Sequence, residues 1–173
     1  MLPPDTHRIA TPRLSGRPLE DNDFAELCRL HRDELVVSAF GAEPSTDEQT
    51  REFLDRKLAH WRDHGFGIWM FFDDDGAFVG RCGIHRIVID GRDEVELGYI
   101  VRSELWSNGY ATEMAVAVAA HAFSALALPE LVGFTLPDNL RSRRVLEKAG
   151  FVYERTFVGD GKPTVLYRLT AGS

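Results

Sequence analysis

The 173-residue sequence has only two cysteines, Cys28 and Cys82, and they form no CxxC pair. No disulfide framework is implied. No apolar run approaches the ~20 residues needed to span a bilayer. The opening MLPPDTHRIA lacks the apolar region of an export signal, so the expected location is the cytoplasm, with no membrane partner. Neither GxxxxGK[ST] nor GxGxxG occurs, which removes the usual ATP loop and the dinucleotide fingerprint. Positive charge is in deficit: 20 Lys and Arg against 27 Asp and Glu leave a net −7 and a pI near 5.3. That balance argues against sequence-independent nucleic-acid binding, which needs a basic face. It suits a cationic acceptor such as an amine. Repeats, linkers and low-complexity runs are also missing. What is present is ordinary for a globular chain, 44% hydrophobic and 27% charged. The expectation is one domain over residues 1–173, with 1–7 a loose leader around Pro3-Pro4.

Taken in order, Thr11 to Leu19 reads as a first edge strand carrying Pro12 and Pro18. Asp21 or Asp23 caps a helix with Phe24, Leu27, Cys28 and His31 on one face, ending near Phe40-Gly41. Thr46 to Gln49 fits a capping box for a helix that ends at His64-Gly65. Antiparallel sheet follows: Gly67–Phe72, a hairpin turn at Asp73–Gly76, Ala77–Ile89, and a turn at Asp90–Asp93. Later come a short strand at Leu131–Leu136, a helix at Leu140–Ala149 stopped by Gly150, and strands at Phe151–Val158 and Thr164–Thr170. The order predicts an α/β (α+β) fold: a mixed, mostly antiparallel sheet with helices on both faces.

Glu94 to Phe123 organises the rest. Val95, Leu97, Tyr99, Ile100 and Val101 are strand formers. Asn108-Gly109 turns the chain, and Ala-rich helix begins at Tyr110. The first turn of a helix carries unpaired N–H groups and partial positive charge. Gly109 lets a phosphate approach the backbone. Residues Ser107, Asn108, Gly109, Tyr110, Ala111 and Thr112 therefore make a candidate pyrophosphate site.

Other constellations are weaker. His60 and His64 are four apart on a helix, a spacing metal ligands share, but no third ligand or glutamate base lies nearby. A solvated helix face is the better account. Asp73-Asp74-Asp75 does not follow a calcium-loop spacing and reads as a turn. Cys82 and His85, three apart on one strand, point to opposite faces and make a poor nucleophile–base pair.

W-S-N-G-Y-A-T-E, Trp106 to Glu113, resembles the pyrophosphate loop of the GNAT superfamily of N-acetyltransferases, above all its RimJ/RimL-like branch, where the loop usually reads W-G-x-G-Y-A-T-E. Ser107 departs from that pattern. T-P-R-L-x-x-R-P-L from Thr11 resembles the opening of the same enzymes. Asn139, Ser142, Glu147, Lys148, Gly150 and Phe151 match the family's N-x-x-S-x-x-x-x-E-K-x-G-F segment. The resemblance covers nearly the whole chain from Thr11. It implies a splayed strand pair, Glu94–Val101 and Leu131–Leu136, that admits acetyl-CoA as cosubstrate. Backbone of Tyr99, Ile100 and Val101 would hold the pantetheine, with N–H near Ile100 facing the acyl oxygen and Asn139 bonding the pantetheine arm. Many members carry a tyrosine acid four residues after the Ser142 position; here that residue is Leu146. In the RimJ/RimL branch the residue matching Ser142 has that role, so Ser142 is either the thiolate's partner or a helix cap. Glu96 is the general-base candidate, its competing account being a solvent-facing strand residue; Tyr99 and His85 are weaker alternatives. No metal is required. The acceptor is an amine, a protein N-terminus or a small molecule, entering between Asp33–Ser45 and Phe157–Thr164; a homodimer stays open. Two rival functions also stay open. One is a non-catalytic acyl-CoA sensor. The other is an enzyme using a longer donor such as succinyl-CoA, with Arg81, Arg86 or Arg102 near the acyl pocket.

Overall fold

The computed structural model describes residues 7–172; nearly all of the expected leader lies outside them. Eight strands form one sheet: β1 (Ile9–Ala10), β2 (Leu14–Pro18), β3 (Ile68–Asp73), β4 (Phe78–Ile89), β5 (Arg92–Val101), β6 (Glu130–Thr135), β7 (Val152–Gly159) and β8 (Lys162–Thr170). Their spatial order is β1-β2-β3-β4-β5-β6-β8-β7, and every neighbouring pair is antiparallel except β5–β6. The helices are α1 (Phe24–Arg32), α2 (Glu34–Ala39), α3 (Asp47–His64), α4 (Tyr110–Ser124) and α5 (Leu140–Lys148).

The sheet divides the core by strand alternation. On β3, Trp69 and Phe71 join Met114, Val118 and Ala122 of α4, while Ile68 and Met70 join Leu27 and Leu30 of α1 and Leu54 of α3. β3 is thus apolar on both faces, and α1 and α3 lie across the sheet from α4 and α5. The small side chains Ala115, Ala119 and Ala122 of α4 are buried in this core.

Two expectations are corrected at the N-terminal third. The edge is not the Thr11–Leu19 strand: β1 pairs outside β2, Ile9 opposite Gly16. The expected single helix to Phe40 is two. Asp33 has an extended ψ of 108°, and its carboxylate accepts the N–H groups of Leu35 and Val36, starting α2 afresh. An N-cap side chain of this kind competes with helix continuation. By contrast α3 runs as expected: Thr46 and Gln49 cap each other, and Gly65 closes the helix at φ 71°, a left-handed conformation cheap only for glycine.

No helix among the described residues is long and apolar enough to cross a membrane.

Candidate active site

β5 and β6 meet at a single paired rung, Glu96 opposite Val132. Before that rung the strands are clamped. Arg168 on β8 reaches both carboxylate oxygens of Glu94 on β5, at 2.7 and 2.9 Å, and also Glu130 on β6 and Glu154 on β7. Glu94 is buried, and the Arg168 hydrogen bond, ahead of its burial, holds its carboxyl below the ordinary range. Beyond the rung no further β5–β6 pair forms, and a cavity of about 410 Å³ opens between the end of β5 and α5.

This cavity is lined by Tyr99, Ile100 and Val101, by Trp106, Ser107 and Gly109 to Thr112, and by Asn139 and Ser142. The sequence-derived cosubstrate residues thus share one space; Asn108 sits in the same loop without lining it. The loop has a left-handed backbone at Ser107, φ 67°, as well as at Gly109, φ 80°. Serine therefore occupies a conformation that strongly favours glycine. A side chain at Gly109 would meet nothing nearer than Arg13 Nη2 at 3.6 Å, so the approach to the backbone is open.

The loop is fixed from a distance. Glu113 accepts hydrogen bonds from Thr11 Oγ1, Arg13 N and Arg13 Nε at 2.6, 3.0 and 2.7 Å. Burial pushes the Glu113 carboxyl up, but these bonds outweigh it and hold the group below the usual range. Arg13 also donates to Asn108 O and stacks on the Tyr110 ring. The two separate motifs at Thr11–Leu14 and Tyr110–Glu113 are one clasp.

Backbone alternation corrects one assignment. Arg102 N–H bonds Val79 O on β4, and residues 79 and 102 continue the register that pairs Arg81 with Ile100. In an antiparallel ladder the groups of alternate residues turn to the same neighbour. Gly98 and Ile100 therefore direct their backbone groups to β4, while Tyr99 and Val101 face the gap. Val101 O already accepts from Trp106 Nε1 at 2.9 Å. The N–H groups turned to the gap are those of Tyr99 and Val101, the neighbours of Ile100, and not that of Ile100 itself.

Asn139, not Ser142, caps α5: Asn139 Oδ1 accepts from Ser142 N, and Nδ2 donates to Ala39 O. The cap account of Ser142 falls. Its hydroxyl lies 2.9 Å from the Tyr99 hydroxyl, which also donates to Ser142 O. Burial, opposed by the Ser142 hydrogen bond, raises the Tyr99 phenol above its ordinary range, so it stays protonated. Leu146 is buried against Gly133 and does not line the cavity.

Sequence reasoning missed Arg141, Arg144 and Lys148 of α5, which line the same space. A signal existed. The first turns of α5 carry arginines and no acid, against the helix dipole. Such placement makes sense where an anion lies nearby.

A second cavity, about 610 Å³, lies on the α1–α3 side and shares Val36, Phe40, Tyr99 and Ile100 with the first. Glu96 lines it and is buried, which overturns the solvent-facing account. Its Oε2 lies 2.8 Å from His85 Nε2, directly across the ladder. His31, Phe53, Lys57 and Arg81 line the same cavity. Burial and then the Arg81 charge lower His31 to about 4 and Lys57 to about 8; burial also lowers Arg81, to about 10.

The remaining candidates disperse. Arg102 donates to Phe78 O and pairs with Glu104, and Arg86 is exposed over Phe66; neither lines either cavity. No residue of Phe157–Thr164 lines the second cavity; that hairpin contributes a latch instead, Lys162 Nζ to Gly41 O at 2.8 Å. Cys82 is in the α4-side core, where burial pushes its thiol well up, while His85 faces the opposite cavity. His60 is no solvated residue: Nδ1 donates to Phe66 O and Nε2 accepts from Arg86 N.

Comparison with known proteins agrees with this geometry. The family model described as an acetyltransferase (GNAT) domain matches residues 13–152. YkkB of Bacillus subtilis is 30% identical over 161 residues, 92% of this chain and 94% of that protein. An acetyltransferase from Agrobacterium tumefaciens superposes with a TM-score of 0.82 at 28% identity, covering 98% of this chain and 95% of the other. Mycobacterium smegmatis RimJ, solved with a CoA disulfide, has the same fold: TM-score 0.81, 23% identity, 99% and 90% coverage. The chain belongs to the GNAT family and is an N-acetyltransferase.

Proposed function

We propose that this enzyme moves an acetyl group from acetyl-CoA to a primary amine by direct attack of the amine on the thioester. The observation that carries the reading is the parted strand pair. It joins a phosphate-accepting loop on one side of the sheet to a buried carboxylate on the other, through walls that the two cavities share.

The residues present fit the cosubstrate. Backbone N–H groups at Ser107–Thr112 take the pyrophosphate, where Gly109 leaves the approach clear. Arg141, Arg144 and Lys148 supply countercharge. Tyr99 and Val101 offer strand-like bonds to the pantetheine amides. Asn139 is engaged in capping, so its contact with that arm uses its remaining donor and acceptor capacity.

Glu96 takes the proton from the incoming ammonium, directly or through one water, and His85 holds the carboxylate in place. The freed lone pair attacks the thioester carbon, while a Tyr99 or Val101 N–H stabilises the charge developing on oxygen. The C–S bond breaks, the surplus proton on the attacking nitrogen leaves to solvent, and the departing thiolate receives a hydrogen bond from Ser142 Oγ, with the Tyr99 hydroxyl turned to donate to that oxygen.

The test is thiol release from acetyl-CoA with a panel of amines, beside calorimetry of acetyl-CoA binding. Gly109→Val inserts a branched side chain at φ 80° where a phosphate must approach. Binding is expected to fall at least about tenfold in the folded variant. Unchanged affinity sinks the loop assignment.

A further inference from the structure

The second cavity carries charge that the proposed chemistry does not use. Phe53 of α3 is ringed by cations: Arg81 at 4.9 Å, Lys57 at 5.5 Å and Arg56 at 6.0 Å from its centroid. Among the described residues, no carboxylate lies within ion-pair distance of any of the three. Arg81 Nε is fully enclosed and has no hydrogen-bond partner. Unsatisfied buried donors are rare and call for an explanation. The acids lining this cavity do not supply one. Glu43 and Glu52 are exposed at the mouth, and Glu96 is held by His85. A chain of net charge −7 thus keeps a positive wall with no ion-paired acid inside its second cavity.

Resting on the acetyl-transfer reading, we propose that the acceptor is a small aminocarboxylate, an amine that brings its own carboxylate to Arg81 and Lys57 while its nitrogen lies at Glu96. Arg81 and Glu96 project from the same sheet face, since Arg81 pairs with Ile100 and His85 with Glu96 on adjacent strands. Those rungs are four positions apart on β4, a backbone separation of roughly 13 Å that the long Arg81 side chain shortens. Lys57 lines the same cavity, and the Glu96 charge acts on both Lys57 and Arg81, so the two ends are within each other's field. An arriving carboxylate would meet the guanidinium fork that suits it. Between the rungs Gly98 leaves the floor open: a side chain there would meet only Glu96 Oε1, at 3.5 Å. The volume of about 610 Å³ lies within the roughly 300–1,000 Å³ of small-molecule sites. Phe53, Lys57 and Arg81 do not line the cosubstrate cavity, which assigns the anion to the acceptor and not to the donor's acyl chain.

Thiol release with acetyl-CoA is compared for free amino acids and their carboxamides, in the native enzyme, Arg81→Gln and Lys57→Gln. The native enzyme is expected to prefer the acid by at least tenfold in kcat/KM, and both variants to bring that ratio toward one. Melting temperature controls for folding. A direct readout accompanies it: calorimetry of an N-acetyl amino acid and its amide in the presence of CoA, where only the acid should lose affinity in Arg81→Gln. Equal use of acid and amide by the native enzyme overturns the proposal. So does an Arg81 effect that is equal on both, or one that appears only when succinyl-CoA replaces acetyl-CoA. Failure of every amine to release thiol, with the N-acetyl acid still bound through Arg81, instead removes the acetyl-transfer reading and keeps the anion site.

Discussion

The two ends of the β5–β6 pair differ in almost every respect. Below the Glu96–Val132 rung, four strands are knit by a half-shielded cluster in which Arg168 joins three carboxylates and the exposed Arg92 pairs with two of them. Above it the strands share no rung, and the span is made by side chains and a helix. Tyr99 reaches across to Ser142, and Asn139 ties α5 to α2. One end concentrates stability and the other gives up pairing for access. A sheet can stay open in its middle only when what lies below the opening is held firmly. Function tends to occupy the less-stable part of a fold for this reason.

Substitutions can set the two ends against each other. The largest effect is expected at the rung itself, where Glu96→Gln keeps shape and hydrogen bonding but removes the base. Turnover at neutral pH should fall by roughly 10²–10⁴-fold with acetyl-CoA affinity unchanged. Near-native kcat would separate the rung from the chemistry. Next, Arg168→Met breaks the closed end and leaves the buried Glu94 without its bidentate partner, with only the exposed Arg92 at 3.3 Å remaining. Loss of one member of a buried pair costs roughly 3 kcal/mol or more, or about 6–12 °C of melting temperature at this size. Well below melting, kcat should change little; a comparable loss of kcat would mean that the two ends are not independent.

Ser142→Ala acts at the open end. An unmade hydrogen bond to a charged group costs roughly 1.5–3 kcal/mol, about ten- to a hundredfold in rate. It should appear in kcat more than in the amine KM. Because Asn139 makes the cap, the melting temperature should hold; a drop in stability with intact kcat would return Ser142 to a structural role. The smallest effect concerns His31. Its folded value is near 4 against about 6.5 unfolded, so between those values the unfolded chain binds more protons. Stability should therefore fall as pH drops from about 6.5 to about 4, and His31→Gln should flatten that part of the melting-temperature profile. An identical profile in the variant would remove His31 as the cause.

How much of this was legible depended on how local the cause is. α3 could be bounded within a residue at each end, since the Thr46 box and Gly65 are local signals. Strand periods gave the sheet for the same reason. The break at Asp33 was hidden, because only the carboxylate's choice of Leu35 and Val36 N–H groups reveals a new helix start. Glu96 alternates with Val95 and Leu97, which reads as a strand with one wet face. The covering of that face by α1 and α3 is a tertiary fact. The same holds for Arg81, whose lack of an ion-paired carboxylate depends on what distant elements bring near it. The cavity-lining arginines of α5 were visible in principle as charges on the wrong end of a helix.

The clasp at Glu113 has a consequence in time. Thr11 and Glu113 are separated by 102 positions, so the phosphate loop cannot be finished by its own neighbourhood. During synthesis at about 5–20 residues per second, the first strand emerges several seconds before the carboxylate it will hold. Contacts of such long sequence separation are costly to close and form late. The loop that looks most like an independent motif is therefore among the last parts of the molecule to be completed, and a nascent chain has its β3–β4 hairpin well before it has anywhere to put a phosphate.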